Sequence, residues 1–271
     1  MEDKSDSIGL YLDLMKKTLT ASIYAESAWQ IENKGVVGNY LKQWFARKYL
    51  DHKSLLLVNT RDYDRTQRME GRDWPMFGYT MAGHHRLDNV QMCVEDVLKN
   101  QIPGDFIETG VWRGGTTIFM RALLKAYGVT DRKVWVADSF DGLPAPEDKT
   151  DGPDLSHVDA LKVSLEDVKS NFSEFELLDD QVEFLKGWFC DTLPGAPIDK
   201  LSILRLDGDM YNSTMDALTS LFDKVSKGGY VIVDDYYSWD SCKAAVTDFL
   251  KERSLGPEIR EIDWTGAYWQ V

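Results

Sequence analysis

With 271 residues the chain is long enough for one large domain, or one domain with an appendage, and for a sizeable core. Hydrophobic residues at 43% and aromatics at 12% exclude a disordered chain. Lys plus Arg number 31 against 45 Asp plus Glu, a formal charge of −14, so nucleic acid and anionic membrane are not expected partners. No apolar run approaches the length of a membrane span, and the acidic start Met1-Glu2-Asp3 is not followed by a signal-peptide core. A cytoplasmic protein is expected. Cys93, Cys190 and Cys242 are odd in number and scattered, fitting neither a disulfide framework nor a zinc site.

Residues 8–35 carry apolar side chains at helical spacing: Ile8, Tyr11, Leu14, Met15 and Leu19, then Ile23, Ala25 and Trp29. A further helix is expected over 39–57. Charges dominate 60–72, which reads as a solvated loop or exposed helix face, with a mobile cover over a site as the sharper alternative. Residues 74–83 are aromatic-, Met- and Gly-rich without a period. They are expected to pack on the core or line a pocket. His84 and His85 read as loop residues before a helix over 87–99, because adjacent side chains diverge too far for a metal pair.

From Gly104 the pattern alternates strand and helix. Strands are expected at 105–109, 133–137, 182–185, 201–206 and 229–233, with helices over 116–127, 158–172, 213–225 and 239–250. Ser238 or Asp240 is the candidate cap of the last helix. Residues 145–156 form a polar loop, and 259–264 with 267–271 read as two strands joined by a tight glycine turn. The arrangement predicts a helical N-terminal part leading into one α/β sheet that closes with an antiparallel hairpin.

The stretch 201–211 ends an apolar strand in Asp207-Gly208-Asp209, and Asp234-Asp235 follows a second apolar run in the same way. A buried strand cannot carry ionised side chains inward unpaired, so these carboxylates are expected just past the strands' C-terminal ends, where open α/β sheets bind ligands. An oxygen-only donor set suits a hard divalent ion, Mg²⁺ or Mn²⁺. Asp207, Asp234 and Asp235 are the expected metal ligands, leaving Asp209 as a base and Gly208 to let the chain turn between them. The competing reading makes Asp209 a helix cap and Asp234-Asp235 surface turns. A metal that coordinates a substrate hydroxyl lowers its pKa, and a neighbouring carboxylate can take the proton.

A strand ending in Glu108-Thr109, followed by Gly110 and by Gly114-Gly115 at a helix start, allows close backbone approach to a ligand. The bulky Trp112 counts against a dinucleotide and for a smaller nucleoside. Asp138, ending the next strand, can accept both ribose hydroxyls, and Trp188 with Phe189 can flank an adenine; taken singly, Asp138 fits a helix cap or turn equally well, and Trp188 and Phe189 each fit the core better.

The ordered stretches Phe106-Ile-Glu-Thr-Gly-Val-Trp-Arg-Gly-Gly115, Asp138-Ser-Phe-Asp-Gly-Leu-Pro144, Gly187-Trp-Phe-Cys-Asp-Thr-Leu-Pro194, Leu206-Asp-Gly-Asp-Met-Tyr211 and Val233-Asp-Asp-Tyr236 resemble the macrocin O-methyltransferase family. Gly78-Tyr-Thr-Met-Ala-Gly83 and Arg86-Leu-Asp-Asn89 are similar to it as well. These enzymes methylate sugar hydroxyls of macrolides and aminocoumarins and depend on S-adenosylmethionine and Mg²⁺. The resemblance implies a class I methyltransferase, Rossmann-like sheet over 101–271, with 1–100 as a helical extension and lid. It implies cofactor contacts at Met81, Glu108, Thr109, Gly110, Gly114 and Thr116, and at Asp138, Ser139, Gly187, Trp188, Phe189 and Asp207. It also implies metal ligation by Asp207, Asp234 and Asp235, Asp209 as the general base, a small glycosylated acceptor, and a homo-oligomer. The alternative function is a metal-dependent glycosyltransferase, since Asp207-Gly208-Asp209 also fits a DxD site for a nucleotide-sugar diphosphate.

Overall fold

The computed structural model describes residues 2–26, 28–30, 58–60 and 62–271, so the helix expected over 39–57 lies outside the described residues. Helix α1 (Glu2–Leu19) buries Leu12, Met15 and Leu19, three and four residues apart, as an amphipathic helix must. It stops well short of residue 35. Thr20 Oγ1 turns back onto the Lys16 carbonyl at 2.8 Å and Ala21 takes a φ of 53°, which ends the helix. Trp29 falls instead on a short strand, β1 (Ala28–Gln30), paired antiparallel with β2 (Val58–Thr60).

The charged stretch that follows is not simply a solvated face. Asp64 caps α2 (Arg65–Met69) by accepting from the Thr66 and Gln67 amides, and Arg68 is only 2% exposed. Its guanidinium binds Glu26 at 2.8 Å and Asp73 at 2.7 Å, while Glu26 also accepts from the Met76 and Phe77 amides. A buried Arg with both its carboxylates satisfied fixes the segment's path. Helix α3 (His84–Lys99) starts three residues earlier than its apolar spacing suggests. His84 lies buried in its first turn, with Nε2 2.9 Å from Ser22 Oγ, rather than in a loop.

The sheet contains β3 (Asp105–Thr109), β4 (Val134–Asp138), β5 (Val182–Lys186), β6 (Leu201–Leu206), β7 (Val225–Val233), β8 (Arg260–Glu261) and β9 (Ala267–Gln270), in the order β5-β4-β3-β6-β7-β9-β8. The first five strands run parallel, and β9 runs antiparallel to both β7 and β8. All six residues of β6 are buried, as expected for a parallel strand covered on both faces. Side chains alternate across the sheet. Phe106, Val136 and Ile203 pack with α1, α3, α4 (Gly115–Ala126) and α5 (Leu165–Glu174). Ile107, Leu204 and Val231 pack with α7 (Tyr211–Leu221) and α8 (Asp240–Glu252), which follow the short α6 (Phe189–Thr192). The N-terminal α1 and α3 therefore share one hydrophobic core with the sheet.

Several boundaries differ from the sequence expectation. Helix α5 begins at Leu165 because Ser164 accepts from the Asp167 amide, and 159–161 form only a 3₁₀ turn. Neither expected residue caps α8: Trp239 holds that position, without a side-chain bond. Among the described residues no helix is long and apolar enough to cross a membrane.

Candidate active site

The strand order reverses between β3 and β6, and their C-terminal ends form a topological switch point. A cavity of about 550 Å³ opens there. Asp207 amide to Thr109 carbonyl (2.9 Å) and Asp234 amide to Leu206 carbonyl (2.9 Å) carry the ladder to the edge, so that consecutive strand ends deliver their carboxylates side by side.

Glu108, Asp207, Asp209, Asp234 and Asp235 all line this cavity. One guanidinium, Arg205, is 1% exposed and donates to Glu108, to Asp207 at 2.6 Å and to Asp234. Arg86, at the start of α3, donates to Asp234, to Asp263 at 3.2 Å, and to the Gly71 and Met81 carbonyls. The carboxylates still outnumber the guanidiniums. Burial, reinforced by the charges of Asp209, Asp207 and Asp234, pushes the Asp235 carboxyl well above the usual carboxylate range. Burial and the neighbouring Asp207 and Asp234 push Asp209 up to about 7, and Glu108 is pushed up to about 8, chiefly by burial. Asp235 Oδ2 and Glu108 Oε2 are buried without a hydrogen-bond partner among the described residues.

Oxygen atoms of Asp207, Asp234 and Asp235 lie within 4.8 Å of one another. Three hard donors, one with an orphaned buried oxygen, and a local excess of negative charge fit a divalent cation. Asp234 and Asp235 are 5% and 8% exposed, which rules out surface turns. Asp209 does not cap α7, whose N-cap is Met210; instead its Oδ1 accepts from the Trp239 indole N–H at 3.0 Å. The turn at this point also differs from the expectation. Asp209 itself takes the left-handed φ of 58°, and Gly208 serves close packing, since a Cβ there would come within 3.0 Å of Ser213 and 3.4 Å of Phe189.

The glycine turn serves the chain more than the sequence suggests. Gly110 has a φ of 90°, and a Cβ on it would lie 1.9 Å from the Asp207 carbonyl oxygen, so its close approach is to β6. The Gly115 amide donates to the Tyr79 carbonyl at 2.9 Å, so the 78–83 segment takes up the α4 N-terminus. Asp138 accepts from the Val111 and Phe140 amides at 2.7 Å each, tying the turn to the end of β4. A carboxylate has lone pairs for further donors, so this does not exclude a ribose.

Of the positions expected to contact a cofactor, Met81, Glu108, Gly110, Thr116, Asp138, Ser139, Trp188, Phe189 and Asp207 line the cavity. Thr109, Gly114 and Gly187 do not. Thr109 is buried against β6, with its hydroxyl on the Arg205 carbonyl at 3.4 Å. Gly114 faces Val168 of α5, where a Cβ would come within 2.9 Å, and a Cβ on Gly187 would meet Thr192 at 2.7 Å. Neither adjacent histidine lines the cavity. Arg86 and Arg205 were not singled out as site residues. The signal for Arg205 was present, because an arginine inside the otherwise apolar run Leu-Ser-Ile-Leu-Arg-Leu requires carboxylate partners.

The N-terminal segment contributes Gly71, Arg72, Trp74 and Thr80 to the lining. Arg72 stacks 4.6 Å from the Trp264 ring, and the Trp264 indole donates to the Glu70 carbonyl at 2.8 Å.

Comparison with known proteins adds a second line. The family model described as Macrocin-O-methyltransferase (TylF) matches residues 8–271. The chain is 47% identical to demethyldecarbamoylnovobiocin O-methyltransferase of Streptomyces niveus, over 99% of this chain and 95% of that protein. It is 46% identical to 8-demethyl-8-(2,3-dimethoxy-alpha-L-rhamnosyl)-tetracenomycin-C 4'-O-methyltransferase of Streptomyces olivaceus, over 98% and 94%. Mycinamicin III 3''-O-methyltransferase of Micromonospora griseorubida is 41% identical over 98% of both. The solved structure of the O-methyltransferase NovP superposes with a TM-score of 0.82 at 45% identity, covering 97% of this chain and 98% of that one.

Proposed function

The chain belongs to the macrocin O-methyltransferase family, and from that premise we propose that it methylates a hydroxyl, borne on a sugar, of a small secondary metabolite. The donor in this reading is S-adenosylmethionine and the activator is Mg²⁺ or Mn²⁺. The observation that carries it is the shared cavity in which the β3 and β4 strand ends meet Asp207, Asp209, Asp234 and Asp235. The relatives named above supply the acceptor class, and the one whose name includes a rhamnosyl group supports a sugar hydroxyl.

Asp207, Asp234 and Asp235 would hold the cation, and Glu108, Asp138 and the Trp188-Phe189 turn would hold the cofactor. When bound, the cation lowers the pKa of an acceptor hydroxyl and the sulfonium supplies an electrophilic methyl group. The chain's own contribution is proton transfer and orientation. Asp209, with Oδ1 held by Trp239, leaves its other oxygen to take the hydroxyl proton, and a carboxyl pushed up to about 7 before a cation binds, and lower once one does, is ionised and ready to act as a base at neutral pH. Arg205 bridges Asp207 and Asp234, and Arg86 holds Asp234 from the other side of the chain, so these two carboxylates are fixed at the strand ends. Trp74, Trp264 and Trp239 offer flat apolar walls, which suit the faces of a sugar ring and exclude water.

Calorimetry separates this function from a glycosyltransferase. S-adenosylhomocysteine is expected to bind and UDP not to bind; binding of UDP alone would sink the methyl-transfer reading. Metal dependence has its own check. EDTA is expected to abolish methylation of hydroxylated glycosides and Mg²⁺ to restore it, whereas full activity in EDTA removes the metal from the scheme. The cation should also raise the melting temperature, more at about pH 8 than at about pH 5. The raised carboxyls of Asp235 and Asp209 contribute stability below their unfolded values that is lost as pH rises through the folded ones, and a bound cation offsets that loss.

A further inference from the structure

Asp209 holds a left-handed backbone conformation, which a non-glycine residue keeps only where its surroundings over-determine it. Helix α7 begins two residues later, and its N-cap, Met210, offers no side-chain acceptor to the first amides. Those amides are satisfied from a distant loop. Tyr211 N–H donates to the Asp151 carbonyl at 2.9 Å, and Asn212 N–H donates to Asp151 Oδ1 at 2.8 Å. Asp151 is 4% exposed, and its Oδ2 accepts from the Glu147 amide at 3.2 Å. The next residue is equally confined, since a Cβ on Gly152 would meet Ser241 Oγ at 3.0 Å, and that hydroxyl reaches the Asp209 carbonyl at 3.5 Å. Ala145, Glu147, Asp151 and Leu155 of the same loop line the cavity.

We infer that Asp151 is a positioning residue: by capping α7 from the 145–157 loop it sets the turn of Asp209 and couples the cavity wall to that carboxylate. A carboxylate at a helix N-terminus both satisfies orphan amides and complements the helix dipole. Here the cap also closes the far side of the Asp207-Gly208-Asp209 turn, whose near side the Thr109 carbonyl holds through the Asp207 amide. A group that displaces the 145–157 loop therefore acts on the start of α7 and on Asp209 through two hydrogen bonds. The consequence for catalysis rests on Asp209 being the base; the coupling itself does not.

The Trp239 indole N–H, bonded to Asp209 Oδ1, reports on the placement of Asp209 without any acceptor or cofactor. The measurement is the indole resonances of the ¹⁵N-Trp-labelled full-length chain, with Trp239→Phe identifying the peak, together with amide hydrogen exchange. Asp151→Ala removes the side-chain acceptor of the Asn212 amide and is expected to move the Trp239 proton upfield and to cut protection at Asn212 about tenfold. Asp151→Asn keeps a side-chain carbonyl and is expected to leave both near wild type. An unmoved Trp239 peak in Asp151→Ala, or unchanged protection, overturns the inference, and a lone loss of protection reduces Asp151 to a helix cap. Should Asp151→Ala not fold, Asp151→Glu keeps the charge but displaces the cap, and an unmoved Trp239 peak there overturns the inference as well. Failure of this test leaves methyl transfer standing, and failure of S-adenosylhomocysteine to bind leaves the coupling standing.

Discussion

Asp209→Asn is expected to lower methyl transfer by roughly 10²–10⁴-fold while S-adenosylhomocysteine still binds with wild-type affinity. The amide nearly matches the carboxylate in size, and its carbonyl can still accept from the Trp239 indole, so the turn keeps its shape. What is lost is the ability to take a proton. The effect should therefore fall on kcat, with little change in KM for the methyl donor. The pH profile adds a sign. Without a cation the Asp209 carboxyl is pushed up to about 7, by burial first and then by Asp207 and Asp234. A bound cation favours the ionised form and lowers it, so the wild-type rate should climb with pH along an acid limb placed below about 7. That limb should be absent from the residual activity of the variant. Activity within a few-fold of wild type would remove Asp209 as the base.

Arg205→Met is expected to cost about 3–5 kcal/mol of stability, the usual penalty for breaking a buried charge network from one side. Methionine fills much of the volume, but Glu108, Asp207 and Asp234 lose their shared guanidinium, and Glu108 is 1% exposed with one oxygen already unpartnered. The melting temperature should fall by roughly 10 °C, given about 2–4 °C per kcal/mol for a domain of this size. The loss should be smaller in acid. Loss of the guanidinium pushes the already raised Glu108 and Asp207 carboxyls up further, so protonation restores stability as pH falls through their folded-state values. Thermal unfolding at two pH values measures this, and an unchanged melting temperature would mean that Arg205 only fills space. Replacing Glu108 by Gln in the same chain should recover part of the loss, because it removes one of the stranded charges.

Much of the sheet was legible because buried parallel strands and amphipathic helices leave periodic apolar patterns, and those patterns are local. The five parallel strands lie close to the predicted positions, and β9 with β8 closes the sheet antiparallel, though β9 inserts beside β7. Boundaries set by side-chain capping were less visible. Helix α5 starts where Ser164 accepts an amide, and α3 reaches back to His84 because Ser22 meets its ring. The charged stretch 60–72 misled for a related reason. Charge reads as exposure, yet Arg68 is buried, because Glu26 and Asp73 arrive from either side of it in sequence.

For the site, the sequence alone determined the residue types that a strand's C-terminal edge must carry: a glycine turn after β3, an aspartate after β4, and Asp207, Asp209, Asp234 and Asp235 after apolar runs. An ionisable group at the end of an apolar strand has few places to be, so its chemistry is local information. The same ordered motifs identified the family, to which the comparisons assign the chain. The tertiary structure decided which of those residues share a cavity, and it excluded Thr109, Gly114 and Gly187 from the cavity lining. It showed that Gly110 must be a glycine because its backbone closes on the chain just past β6, and that Asp209, not Gly208, turns left-handed. It also brought Arg86, Arg205 and Asp151 to the carboxylates from separate parts of the chain. Those contacts are pairings between residues remote in sequence, and no local pattern encodes which distant partner will satisfy a buried charge or an orphan amide.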